Sequence, residues 1–162
     1  MPNILDEIVA AKRKELVLQK ERVPLAALQE QIARQSAPLS LSKALATQGI
    51  GLIAEVKKAS PSRGLLRADF DPAQLAGIYA ANGAAAVSVL TDQHFQGELA
   101  HLAQIKTSGA SGDAPVVRKD FIFDPYQVYE ARSAGADAFL LIVSVLSPQL
   151  LKELLDLGHT LG

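Results

Sequence analysis

The chain has 162 residues, 49% hydrophobic and 20% charged, with a formal net charge of −1. That balance suits a globular domain with a sizeable core and gives no electrostatic reason to expect a nucleic-acid partner. There are no cysteines, so disulfides and thiolate metal sites are excluded; His94, His101 and His159 lack metal-ligand spacing. No leader peptide or membrane-spanning run is expected, and the cytoplasm follows by elimination.

Residues 3–21 read as an amphipathic helix, with Asn3 as cap, Asp6 and Glu7 in the first turn, and a stripe of Ile4, Leu5, Ile8, Val9 and Leu16. Lys12, Arg13 and Lys14 form a small basic cluster, read as a solvated helix face. Pro24 opens a second helical stretch to residue 34, and 41–46 suggest a further turn or two.

From residue 50 the pattern changes. Four apolar, β-rich runs (51–57, 85–90, 115–119 and 138–143) alternate with four helical patterns. The helices open at Asp71-Pro72, near Gly97, at Asp124-Pro125 and at Ser147-Pro148, cap-like positions in three of the four. Strict alternation predicts parallel strands joined by right-handed crossovers. Near-continuous apolar strands predict a sheet covered on both faces.

Such sheets place function at the carboxyl ends of their strands. The polar residues fall there: Glu55 and Lys57 on the first run, Thr91 and Asp92 after the second, Lys119 and Asp120 on the third. Glu55 and Lys57, two apart, share one face. A carboxylate between two lysines can bind an anion, and a lysine there can act as a general acid at an oxygen. The plainer alternative is an ion pair joining the first strand to the third. For Asp92 and Asp120 the expectation is loop capping or orientation of a lysine. His94, His101 and His159 read as surface residues. Ser60, Ser62 and Gly64 read as an ordinary turn, and Phe95 either walls a ligand or plugs the core. No Walker A, Rossmann glycine or hydrolase-elbow pattern is present.

Residues 53–64 closely resemble the signature of the indole-3-glycerol phosphate synthase family. So do residues 88–92 followed by Phe95 and Gly97, and residues 117–122 followed by Asp124 and Gln127. Residues 135–138 and 140–143 are similar too, as is the pattern of Ile4, Leu5, Ile8, Val9 and Lys12. The resemblance implies an α/β fold, a TIM (β/α)8 barrel with an N-terminal helical extension (1–49) before the barrel (50–162). It implies ring closure of 1-(2-carboxyphenylamino)-1-deoxyribulose 5-phosphate with loss of CO2 and water, a carbon-carbon lyase step of tryptophan biosynthesis. No metal or organic cofactor is implied. Lys119 matches the lysine assigned as general acid. Lys57 matches one that contacts the substrate's anionic groups and is a second candidate for the acid role, the division between the two lysines being left open. Glu55 matches a carboxylate that positions the reacting groups. Phe95 and Leu141 match apolar positions around the aromatic ring, and Ser60 a substrate-proximal loop residue. The implied partner is a phosphorylated small molecule, with neither nucleic acid nor membrane.

A full barrel needs eight βα units and about 250 residues. Four units are counted here, so the expectation is an incomplete barrel, inactive alone, that self-associates or pairs with a missing C-terminal half. The alternatives are a non-catalytic half-barrel module or another phosphate-binding barrel such as phosphoribosylanthranilate isomerase. The loop at residues 57–62 speaks against the isomerase.

Overall fold

A computed structural model describes residues 4–46 and 49–162. The expected Asn3 cap lies outside the described residues. The chain opens with helices α1 (Ile4–Arg22), α2 (Leu25–Ile32) and the short α3 (Leu41–Leu45). Next come β1 (Ile53–Val56) and a small antiparallel hairpin of β2 (Ala59–Ser60) and β3 (Gly64–Leu65). Then follow α4 (Pro72–Ala81), β4 (Ala86–Leu90), α5 (Leu99–Ser108), β5 (Val116–Lys119), α6 (Pro125–Ser133), β6 (Ala138–Phe139) and α7 (Pro148–Thr160).

Three helices start on the same local device. Asp71 accepts from the amides of Ala73 and Gln74, Asp124 from Tyr126, and Ser147 from Leu150. In each a proline follows the cap, where its missing N–H costs nothing. Helix α5 ends at Gly109, in the left-handed region at φ 68°, a conformation that glycine adopts without Cβ strain.

The main sheet is wholly parallel, in the order β1-β4-β5-β6. Strand order that follows chain order is the winding of a barrel; a doubly wound sheet reverses direction at a switch point. Val56, Val87, Val89 and Val116 face α4, α5 and α6, packing with Leu75, Leu102, Ile105 and Ala131. Each such large side chain contributes roughly 1.5–3 kcal/mol by burial. The opposite face carries Glu55 and Lys119, joined to each other.

Two further clusters tie the helical extension and the last helix to this layer. Leu16 and Leu28 meet Phe123 and Tyr126, while Ile122 and Val128 meet Leu154 of α7. The Tyr126 hydroxyl donates to the Val23 carbonyl at 2.8 Å, and the Arg13 guanidinium stacks over Phe123 at 4.6 Å.

Several expectations are corrected. The first strand stops at Val56, and Lys57 sits just beyond its last ladder pair, Val56 with Val89. The fourth strand is two residues long, not six. After Phe139 it keeps one ladder bond, from the Leu140 amide to the Arg118 carbonyl, and then turns into a 3₁₀ turn at Val143–Val145. It is an edge strand among the described residues, with β5 as its only partner to hold it straight. The expected full coverage of the sheet also fails at the edges, where Leu52, Ile53, Leu140 and Val143 are exposed. The basic cluster is no uniform solvated face: Lys12 is 4% exposed. No described helix is long and apolar enough to cross a membrane.

Candidate active site

The open face of the sheet brings three of the singled-out side chains together. Glu55 reaches Lys57 at 2.8 Å through one carboxylate oxygen and Lys119 at 2.6 Å through the other. β4 lies between β1 and β5, so the Glu55–Lys119 contact spans about 9–10 Å of backbone with long side chains. On β4, Ser88 is the register partner of Glu55 and Leu90 of Lys119, which places these two residues in the rows between. The Tyr79 hydroxyl of α4 donates to the Glu55 carbonyl at 3.4 Å.

This group is open to solvent: the Glu55, Lys57 and Lys119 side chains are 27%, 34% and 39% exposed. The ion pair expected as the plainer alternative is present, but it is not sealed in the core. Partial burial pushes the Glu55 carboxyl up. Hydrogen bonds and positive charge from Lys119 and Lys57 outweigh that and hold it below the usual carboxylate range. Glu55 is therefore an anion at neutral pH, and two ammonium groups around one carboxylate leave a net positive centre. Such a centre can receive an anionic ligand and present a proton at the end of a lysine.

The rim is built from the loops. Ser60 lies in β2, where its Oγ accepts from the Arg63 amide at 3.2 Å, so it does form the expected turn. The β2 segment lies against the 3₁₀ turn Gln93–Phe95, making the segments that carry Ser60 and Phe95 neighbours. Gly97 lets that turn tuck under β4: a Cβ there would meet the Leu90 carbonyl oxygen at 2.3 Å. Leu141 stands apart from the charged group. It packs on the cluster of Ile122, Val128 and Leu154 and lines a cavity of about 390 Å³ beside β6 and α7.

A second charged group was missed in the sequence. Strand alternation sends Arg118 and Asp120 to the face opposite Lys119. There Arg118 pairs with Asp120 at 2.9 Å and Glu130 at 2.8 Å, and Lys12 with Asp92 at 2.8 Å and Asp120 at 3.3 Å. Burial pushes the Asp120 carboxyl up, but Arg118, Lys12 and the Thr91 hydroxyl bring it down to about 2. Asp92 does cap its loop, accepting from the His94 amide, and it also takes the His94 ring at 2.8 Å. His94 and His101 are therefore not plain surface residues: His101 is half-buried edge-on to Phe70, and burial holds its imidazole below the ordinary value. His159 is exposed near the end of α7. Two signals pointed to the buried group: Ile8, Lys12 and Leu16 fall at four-residue spacing on one stripe, and Arg118 sits on a core-facing strand position.

Among the described residues no three His, Asp or Glu side chains are placed to hold a metal ion.

Parallel strands in chain order, with ionisable groups converging on the open face at their carboxyl ends, define a unit of the (β/α)-barrel class. Sequence comparison gives the particular family. The indole-3-glycerol phosphate synthase pattern matches residues 5–162, and the chain belongs to that family, whose fold is the TIM barrel. It is 53% identical over 161 residues to the indole-3-glycerol phosphate synthase of Dehalococcoides mccartyi (strain CBDB1), covering 98% of this chain and 62% of the relative. It is 49% identical to that of Roseiflexus sp. (strain RS-1), covering 100% of this chain and 62% of the relative. For Salinibacter ruber (strain DSM 13855 / M31) the identity is 47%, with 99% and 59% covered. The chain thus spans about three fifths of the length of these relatives.

Proposed function

We propose that the protein works as an indole-3-glycerol phosphate synthase in cytoplasmic tryptophan biosynthesis. It would convert 1-(2-carboxyphenylamino)-1-deoxyribulose 5-phosphate into indole-3-glycerol phosphate, CO2 and water. The observation that carries this reading is the Glu55 carboxylate held between Lys57 and Lys119 on the open face of a barrel-type sheet.

The chemistry asks for such a centre. The ring carbon bearing the carboxylate attacks the ketone carbon, and the ketone oxygen must gain a proton as the bond forms. Loss of CO2 returns its bonding electrons to the ring. The new hydroxyl then leaves as water with a second proton, and the neighbouring carbon gives up a proton to complete the indole. Lys119 is assigned the protonation of the oxygen and Lys57 the substrate's anionic groups. Glu55 holds both ammonium groups in place until the substrate displaces it. Ser60 and Phe95 are assigned to the rim, and Leu141, which packs with Ile122, Val128 and Leu154 away from the charged group, is given no substrate contact.

An eight-stranded barrel takes inward-facing residues from all its strands, and the parallel sheet described here has four. Turnover is assigned to the closed barrel, and these 162 residues alone are expected to turn over negligibly. The test supplies the closing strands of the Dehalococcoides relative and follows indole fluorescence on the deoxyribulose phosphate substrate. No turnover by the closed barrel sinks the reading. Turnover that survives Lys119→Ala removes Lys119 from the acid role.

A second reading is a non-catalytic half-barrel module that self-associates. Exposed Leu52 and Ile53 on one sheet edge, and Leu140 on the other with Val143 in the 3₁₀ turn after it, favour it. Light scattering after size exclusion should then show dimers or larger species; a compact monomer across a wide concentration range counts against association.

A further inference from the structure

The buried charges on the helix-side face have no part in the proposed chemistry, yet they sit one residue away from it. Lys12 comes from the middle of α1, far from the sheet in sequence. Its ammonium meets an oxygen of Asp92 at 2.8 Å and an oxygen of Asp120 at 3.3 Å, and Glu15 of its own helix at 3.0 Å. Asp92 and Asp120 follow the carboxyl ends of β4 and β5 and are 0% and 2% exposed. That Asp92 oxygen has no hydrogen-bond partner besides this ion pair.

From here the ties run directly to the candidate centre. The second Asp120 oxygen accepts from the Thr91 hydroxyl at 2.7 Å, and the Thr91 amide donates to the Lys119 carbonyl at 3.1 Å. The Asp120 oxygen that faces Lys12 also accepts from the Phe121 amide at 2.8 Å. On the other side, the Asp92 carbonyl accepts from the Phe95 and Gly97 amides, each at 3.0 Å. Lys119 is therefore gripped from Thr91 and Asp120, and the Phe95 turn from Asp92. Among the described residues, Lys12 is the one cation that touches both aspartates.

Stability alone is a poor reason for this arrangement. Burying an ammonium and two carboxylates costs desolvation that their attraction barely offsets, and apolar residues of similar volume commonly do as well or better. Helix α1 already has apolar anchors at Ile8 and Leu16. What the charges add is directional: oxygens from two different loops must each come within about 3 Å of one nitrogen.

We propose that Lys12 is a positioning residue, which clamps the loops after β4 and β5 together and so sets where Lys119 and Phe95 stand. Its relevance to catalysis rests on the reading of Lys119 as the acid; the clamp itself does not.

The test compares Lys12→Met, which keeps the length and removes the charge, with Lys12→Arg. Side-chain NMR of the 162-residue chain reads the Lys119 and Lys57 ammonium groups and the Phe95 amide without substrate, with exposed Lys152 as the internal control. In Lys12→Met the Lys119 and Phe95 signals should move, and Lys152 should not; Lys12→Arg should return them most of the way. A variant that melts earlier yet leaves Lys119 and Phe95 unmoved overturns the proposal. If Lys12→Met does not fold, Asp92→Asn loosens the same clamp from the other side and carries the measurement. If neither folds, Lys12 is only a folding anchor and the positioning role falls. In the closed barrel, Lys12→Met should lower kcat roughly tenfold or more with little change in KM. Signals that move in a barrel without turnover would keep the clamp and sink the function reading.

Discussion

The two faces of one strand end carry similar charges under opposite conditions. On the open face, Lys119 and Lys57 share Glu55 with a quarter to two fifths of each side chain in water. On the helix side, Lys12, Asp92, Arg118 and Asp120 are all under 5% exposed. Side chains on the open face can be reached by a ligand and exchange partners at small cost, since exposed ion pairs are worth about 0–1 kcal/mol. The buried ones can exchange nothing without exposing an unpaired charge to the core. Strand alternation at residues 118, 119 and 120 thus separates a group able to react from a group able only to hold.

Breaking the buried side should cost the fold most. Arg118→Met leaves Asp120 and Glu130 without their strongest partner, and loss of one member of a buried pair costs about 3–5 kcal/mol. Urea melts should show that loss, and a change below about 1 kcal/mol would contradict the rigid role. Breaking the open side should spare the fold and remove the chemistry. Lys119→Ala in the closed barrel should lower kcat by roughly 10²–10⁴-fold, the usual worth of a general acid, while the melting midpoint moves little.

Acid sharpens the contrast with a smaller effect. The folded-state Asp120 carboxyl titrates at about 2, below its ordinary 3.8. A depressed carboxyl adds stability that is complete above about pH 4 and is lost as pH falls toward 2. Urea midpoints at pH 7, 4, 3 and 2 should fall most steeply over the last two units, by an amount on the order of 2 kcal/mol. Asp120→Asn should flatten that limb. Equal slopes in the two proteins would remove Asp120 as its source.

What could be read in the sequence was what neighbours along the chain decide. Asp71-Pro72, Asp124-Pro125 and Ser147-Pro148 start their helices through caps closed within three residues. Glu55 and Lys57 meet because two residues apart on an extended chain is one face. What escaped depends on distant partners. Lys12 looked solvated because Asp92 and Asp120 lie beyond the reach of any local pattern. Residues 140–143 have the composition of a strand, but composition does not say how many neighbours a strand will have. The β2–β3 hairpin is closed by the Ser60-Pro61-Ser62 turn itself, and two register pairs are too few to leave a periodic mark.

That hairpin has a consequence for how the molecule is first attacked. Its tip (61–63) and returning strand through Leu66 are exposed, and it is held by two register pairs and a backbone bond from the Leu66 amide to the Lys58 carbonyl at 2.9 Å. So small a unit opens far more cheaply than the sheet beneath it. Arg63 at its crest offers trypsin a cleavage point in the loop beside Lys57, so limited digestion should nick the rim before it touches the layers below.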